Sequence, residues 1–528
     1  MNLLTQDSDS RPVGYGAVVP WWLIILIVIV ALLLVVALHD VLQKRHAILR
    51  NFPVIGHLRY FIETIGPELR QYVVADNEEE RPFSRDQRRW VYSIAKQENP
   101  YFGFGTDNDL DVRGHLLFMH AAFPIDDHSH ENAALPAAKV MGAWRSRDGA
   151  FRPTSVVNVS GMSFGSLSGP ALRALNEGAA AAGCLHNTGE GGISEHHLHG
   201  GDLVMQIGTG YFGARSADGG FSMDRLLETL DGAPVKAIEL KLSQGAKPGM
   251  GGLLPGAKVT KEIAAARGVP VGQDVRSPAT HREFSNVDGL IDFVESIAEG
   301  TGLPVGIKAA VGQPGFWTEL AHRMADTGRG PDFVNIDGAE GGTGAGPLVF
   351  TDHVALPFWY AFPVVHAAFT DAGLQHDVVF GGSGKLGLPA DAALALNLGV
   401  DLVHVGREPM LAIGCVQAQK CHTGHCPTGV ATQSPWLQRG LDPTSKGVRM
   451  ANYVLGLRSE LIRLSHACGV CHPALIAPEA VRVSDGDRGI VDAHDWYGVP
   501  VDQCQPSEAE SQQLLASMAA TATTSANH

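Results

Sequence analysis

Eight short runs rich in β-branched and apolar residues recur between residues 156 and 406, separated by glycine-rich loops and helix-forming stretches. They are VVNVS (156–160), CLHN (184–187), LVMQIG (203–208), AIELKLS (237–243), PVGIKAA (304–310), FVNID (333–337), VVFGG (378–382) and LVHVG (402–406). Strands that alternate with helices pair in parallel, because each crossover carries the chain back before the next strand begins. Eight such units over roughly 250 residues fit a closed (β/α)8 barrel better than an open doubly wound sheet. The expected fold is α/β, a TIM-type barrel over residues 151–440.

In such a barrel the loops past the C-terminal strand ends carry the chemistry. Here they read GMSFGS, NTGEGG, GTGYFG, SQGAKPGMGG, DGAEGGTGAGP, GGSG and GREP. The chain's 62 glycines cluster in such loops, as suits backbone closing on an anionic cofactor. The last two loops match the phosphate position of phosphate-binding barrels. Gly381, Gly382 and Gly406 would offer backbone N–H groups and Arg407 the counter-charge. Lys308 ends an apolar strand, where a charged side chain seldom stands without a partner.

Just beyond the phosphate site, Cys415, Cys421 and Cys426 form a Cys-x5-Cys-x4-Cys array, with Pro427 after the last. Soft thiolates suit iron–sulfur clusters, and three ligands favour a three-iron one. Spacing alone also admits zinc, disulfides or buried thiols. A phosphate site beside such an array points to a phosphorylated redox cofactor, flavin mononucleotide (FMN) being the simplest.

Residues 21–38 form an uncharged apolar run of 18 residues, just long enough to span a bilayer. The preceding tail, residues 1–20, carries Asp7, Asp9 and only Arg11, unlike the basic start of a signal peptide. Lys44, Arg45 and Arg50 follow, so the positive-inside rule expects a single-pass anchor in the cytoplasmic membrane with the catalytic domain facing the cytoplasm. A net charge of −15 gives no sign of a nucleic-acid partner. Seven cysteines, mostly late in the chain, do not form a secreted disulfide framework. Residues 39–150 read as a linker and cap, and 441–528 as a helical extension ending in a disordered tail.

The stretch from Gly161 to about Gln433 resembles the FMN-binding synthase domain of glutamate synthase. The matching runs are MSFGS, NTGEGG, QIGTGYFG, KLSQGAKPGMGGLLPGAKV, SPATH, DGAEGGTGAGP and the cysteine run ending CPTGVATQ. The anchor lies outside the match, as in the short membrane-anchored members of that family. The resemblance implies FMN and a 3Fe-4S cluster, with Cys415, Cys421 and Cys426 as cluster ligands. It implies flavin contacts from Ser163, Gln206, Gly341 and Gly342, and places Lys308 against the flavin N1/O2 edge. Lys247 and Arg267 are similar to positions holding the carboxylates of a 2-oxo acid, and Glu190 to an acid that orients or protonates its imine.

The implied reaction is reduction of an imine of 2-oxoglutarate, or a related 2-oxo acid, and ammonia. An external donor, ferredoxin or an NADPH-oxidising subunit, would supply electrons. Two departures stand out. The family's GEGGQLPG reads GMGGLLPG here, so Met250 replaces an acid and Leu253 an amide expected to contact 2-oxoglutarate. No glutaminase run with an N-terminal cysteine precedes the barrel, so free ammonia or a separate amidotransferase subunit is expected to supply nitrogen. A flavin 2-hydroxy-acid oxidase or isomerase on the same barrel, or a membrane electron-transfer subunit, are the alternatives. Three other signals are read as structural: GTGYFG as a flavin-pocket loop, Cys468-x-x-Cys471-His472 as thiols rather than a haem site, and Glu195, His196, His197 and His199 as a loop rather than a metal site.

Overall fold

The computed structural model describes residues 20–72, 79–101, 103–126 and 134–525. The expected N-terminal tail thus lies, but for Pro20, outside the described residues. All eight expected strands form, and they close on themselves. They are β1 (Val157–Val159), β2 (His186–Asn187), β3 (Leu203–Ile207), β4 (Val235–Lys241), β5 (Val305–Ala309), β6 (Phe333–Asp337), β7 (Val379–Ser383) and β8 (Leu402–Val405). Each pairs in parallel with its sequence neighbours, and β8 closes on β1 through Val403 to Val157 and Val405 to Val159. Burial on both faces explains why the strands read as continuous apolar runs rather than alternating ones.

Polar side chains occupy the barrel axis. Glu239 on β4 accepts hydrogen bonds from Asn187 (2.9 Å), Gln206 (2.5 Å) and Asn335. Beneath them the N-terminal mouth is plugged by the segment before β1: Ala137 and Met141 pack with Val204, Phe333, Val379 and Leu402. Arg147 of that segment forks onto Glu295 at 2.9 and 3.0 Å and reaches Asp332 at 3.1 Å. Lys139 reaches Asp401 at 3.0 Å and the carbonyls of Gln375 and Val378. Part of the stretch expected to be linker is therefore the barrel's floor.

Four helices precede the barrel: α1 (Trp21–Leu42), α2 (Ala47–Asn51), α3 (Gly56–Tyr72) and α4 (Arg85–Lys96). α1 is long and apolar enough to cross a membrane, and its most apolar stretch is not buried against the rest of the chain. α4 starts at a capping box in which Ser84 and Gln87 satisfy each other's exposed amides. α5 (Gly169–Ala182) follows β1, with Ser168 as its cap. The 25-residue helix Pro443–Ala467 crosses its outer side, and Gly178 of α5 allows the close approach of Met450. Leu116–Phe118, Val481–Ser484 and Ile490–Asp492 form a separate antiparallel sheet. The helix Glu508–Ser525 occupies much of the tail expected to be disordered.

Candidate functional site

The C-terminal mouth of the barrel opens into a cavity of about 1280 Å³. Eight lysines and arginines but only four aspartates and glutamates line it, in a chain with 40 basic and 55 acidic residues. The cavity inverts the charge of the protein that contains it, and a basic cleft concentrates anions.

On one side three cations surround Glu190. Lys241, at the end of β4, lies 3.2 Å from its carboxylate. Burial pushes the Glu190 carboxyl up, but Lys241, with Lys247 and Arg267 further away, outweighs this and holds it below the usual carboxylate range. Lys247 donates to the Gly251 carbonyl at 3.1 Å. Arg267 donates to the Phe164 carbonyl at 3.0 Å and lies 5.0 Å over the Phe212 ring, while its Nε has no partner. Both side chains are buried, and burial depresses both pKa values. Leu253 stands in the cavity wall, 41% exposed, whereas Met250 does not line it.

Lys308 lies on the barrel axis below the cavity, 3.5 Å from Asp337 and 3.5 Å from the Ser160 hydroxyl. Burial opposes its charge, but Asp337 and Glu239 more than compensate and raise its pKa. Two orphaned buried acceptors or donors, Asn335 Oδ1 and His404 Nε2, share this interior. Gly161 lies close against Asn187 and Gln206, where a Cβ would come within 2.7 Å of Asn187 Oδ1 and 2.8 Å of the Gln206 amide nitrogen. Ser163 lines the same region and shares a 2.9 Å hydrogen bond with Ser166.

At the opposite end, Gly341, Gly342, Lys385 and Arg407 line the wall. Arg407 donates to the Glu340 carbonyl at 2.5 Å. A Cβ on Gly406 would meet only Ser160, at 3.8 Å, so the backbone there can be approached closely. Gly381 and Gly382 sit within the ladder, opposite Asn335 and Ile336, where added side chains would strike His404 inside or Phe358 outside. This open, glycine-lined basic end fits a phosphate.

Cys415, Cys421 and Cys426 line one wall. Burial pushes the Cys415 thiol up to about 12, and the nearby Cys426 and Cys421 add to the shift. Among the described residues, the one trio of His, Cys, Asp or Glu ligand atoms within 4.8 Å of one another is Glu195, His196 and Glu262. The three sulfurs do not all lie within that distance of one another, and as soft donors on one wall they suit iron.

Sequence reasoning missed one wall. Residues Glu80 to Gln87, more than 300 positions before the cysteines, close over the cavity beside them. Gln417 clamps Phe83 through both its backbone groups, at 3.1 Å each. The Phe83 ring lies 5.2 Å from both the Lys385 ammonium and the Arg407 guanidinium. Lys241 was also missed, although it ends an apolar strand just as Lys308 does.

Other motifs lie in structural surroundings. His472 donates from Nε2 to the Pro136 carbonyl and accepts at Nδ1 from the Ala474 amide, leaving no ring nitrogen free. Tyr211 of GTGYFG is buried, its hydroxyl accepting the amides of Arg282 and Glu283. His196 pairs with Glu262 at 2.5 Å and packs against Phe164.

A family model described as the conserved region in glutamate synthase matches residues 139–471. The glutamate synthase large subunit-like protein YerD of Bacillus subtilis is 38% identical over 492 residues, covering 86% of this chain and 93% of its own. An archaeal-type glutamate synthase [NADPH] of Thermotoga neapolitana is 35% identical over 399 residues, covering 74% and 73%. Among solved structures, a flavocytochrome b2 variant with pyruvate bound overlays at a TM-score of 0.43 and 14% identity, covering 84% of this chain and 90% of that one. That likeness is too loose to add to the barrel seen directly.

Proposed function

This chain belongs to the glutamate synthase family, and we propose that it reduces the imine of a 2-oxo acid and ammonia to an amino acid, with FMN and a 3Fe-4S cluster as its cofactors. The observation that carries the reading is the charge around Glu190. Lys241, Lys247 and Arg267 face a single carboxylate, leaving two positive charges for a substrate with two negative ones. 2-Oxoglutarate is the fitting size and charge class.

When bound, FMN would supply hydride chemistry and the cluster single-electron transfer. The residues of the chain have separate tasks. Lys308, kept cationic by Asp337 and Glu239, would stabilise negative charge at the flavin N1/O2 edge. Gly341, Gly342, Gly406 and Arg407 would hold the phosphate, and Ser163 and Gln206 the ring. Cys415, Cys421 and Cys426 would ligate iron. Lys247 and Arg267 would fix the two carboxylates. Glu190, held ionised, is suited to orienting an ammonium or iminium N–H, and less suited to donating a proton.

Leu253 favours a neighbouring reading. An apolar group in the cavity wall makes no hydrogen bond to 2-oxoglutarate, so a 2-oxo acid with a less polar far end is the alternative substrate. Electrons would come from an external donor, ferredoxin or an NADPH-oxidising subunit, and nitrogen from free ammonia or a separate amidotransferase subunit. α1 would anchor the chain in the cytoplasmic membrane, with Lys44, Arg45 and the barrel on the cytoplasmic side.

The test is anaerobic reoxidation of the pre-reduced, detergent-solubilised protein, followed by flavin absorbance. Rapid reoxidation with 2-oxoglutarate plus ammonium but with neither alone, yielding glutamate, is the expected result. Failure with 2-oxoglutarate but turnover of another 2-oxo acid would reassign the substrate; failure with all of them would remove imine reduction.

A further inference from the structure

Over its described side chains, residues 56–64, α3 leaves a set of large apolar groups in solvent. Gly56 is buried against Leu49, and Tyr60 turns inward to an edge contact with His46 at 5.1 Å. Leu58, Phe61 and Ile62 point outward, 58%, 60% and 51% exposed, and Ile55 just before them is 76% exposed. A helix normally buries its apolar stripe and wets its polar one. Exposed apolar side chains gathered on one face mark an interaction surface.

Two clasps fix where this face lies. Asp40, fully buried near the end of α1, accepts from the Val54 amide at 2.9 Å and pairs with His57 at 3.0 Å. The start of α3 is thereby locked to the end of the apolar helix. Asn51, closing α2, donates to the carbonyls of Leu437 (2.8 Å) and Pro427 (3.2 Å), and Pro427 directly follows Cys426. Beside this second clasp Trp436 is 55% exposed under the Arg439 guanidinium, 3.0 Å from its ring centre, and Arg439 donates to the Arg50 carbonyl. Lys44 and Arg45 are exposed between the clasps, a basic cluster in a chain of net charge −15. Tryptophan with lysine and arginine is the composition of a membrane interface, and basic residues there attract anionic headgroups.

We propose that Leu58, Phe61 and Ile62 of α3, together with Phe52, Ile55 and Trp436, form a lipid-contacting surface that beds the catalytic body on the bilayer crossed by α1. This rests on the anchor reading above, since it is continuity with α1 that names lipid as the occupant. The Asn51 clasp then holds the cysteine loop at the membrane surface. Apolar side chains would enter the headgroup and acyl boundary, as in helices lying in the plane of a membrane.

The test uses the full chain reconstituted in vesicles of phosphatidylethanolamine and phosphatidylglycerol. A photoreactive benzoylphenylalanine replaces Leu33, Phe61 or, as a control on a helix of the barrel, Tyr360, which is 69% exposed. After irradiation, adducts are identified by mass spectrometry. Lipid adducts at both Leu33 and Phe61 but none above background at Tyr360 are expected. Adding Leu58→Glu and Ile62→Glu should abolish the Phe61 adduct and spare the one at Leu33. Lipid at Leu33 with only water quenching, or a protein adduct, at Phe61 overturns the surface while leaving the anchor; a protein adduct would show that a protein covers this face. No lipid adduct at Leu33 removes the anchor reading and the surface with it.

Discussion

Lys241 lies 3.2 Å from Glu190 and is the cation that most lowers its pKa. Replacing it by methionine keeps the bulk and removes the charge, so burial is then opposed only by the more distant Lys247 and Arg267 and the carboxyl's pKa rises. If catalysis needs ionised Glu190, Lys241→Met moves the acid limb of the kcat/KM profile upward by about one unit or more. An unmoved limb would reject the role given to Glu190. The thiols make a simpler case: Cys421→Ser should lower iron per chain by at least one equivalent while FMN per chain is retained, and full iron content would refute the ligand set. Lys308 and the cysteines stood out by position and spacing, at a strand end and in a loop where polar residues have little structural reason to be, whereas Glu190, Lys247 and Arg267 were singled out only through the family resemblance. Lys241 carried the same signal at the end of its strand. Phe83 and Gln417 carried none, because their hydrogen bonds join segments 334 positions apart and leave no local pattern.

The segment closing the barrel's N-terminal mouth turns on Arg147. Burial pushes Glu295 up, but Arg147, the Gly330 amide and Arg145 outweigh it and bring its pKa to about 2. Asp332 meets the same guanidinium chiefly at Nε, and burial leaves its pKa raised to about 6. The two act on stability with opposite signs. Glu295, depressed on folding, stabilises fully above its ordinary value near 4.5, and this is lost as pH falls through about 2. Asp332, raised on folding, costs stability as pH climbs from about 3.8 to about 6. Arg147→Ala strands both carboxyls, so it should destabilise by about 3–5 kcal/mol at neutral pH and lose less at pH 5, where Asp332 takes up a proton. Thermal unfolding at both pH values measures this; equal losses would exclude the Asp332 contribution. Strand runs were readable because burial on both faces gives continuous apolar stretches. The plug was not, since Ala137 and Met141 stand in a stretch that follows neither a strand nor a helix period.

At the scale of the molecule, α1 contributes no buried surface from its most apolar stretch. Deleting residues 1–38 spares the Asp40 clasp and should leave FMN per chain and barrel stability unchanged, while making the chain extractable from membranes by alkaline carbonate. Loss of flavin on deletion would show that α1 supports the barrel after all. The apolar helix itself was plain in the sequence as an uninterrupted run, whereas the exposed apolar side chains of α3 were hidden, because composition does not reveal which side of a helix turns inward. The hydrogen bonds from Asn51 to Leu437 and Pro427 now acquire a meaning for encounter rates. With α1 in a membrane as proposed, a cysteine loop hung from it would be confined to a thin layer beside the bilayer, so a reductant living in that layer would find it by a search in two dimensions. A freely diffusing carrier would have to search three, and the advantage would go to donors that share the membrane.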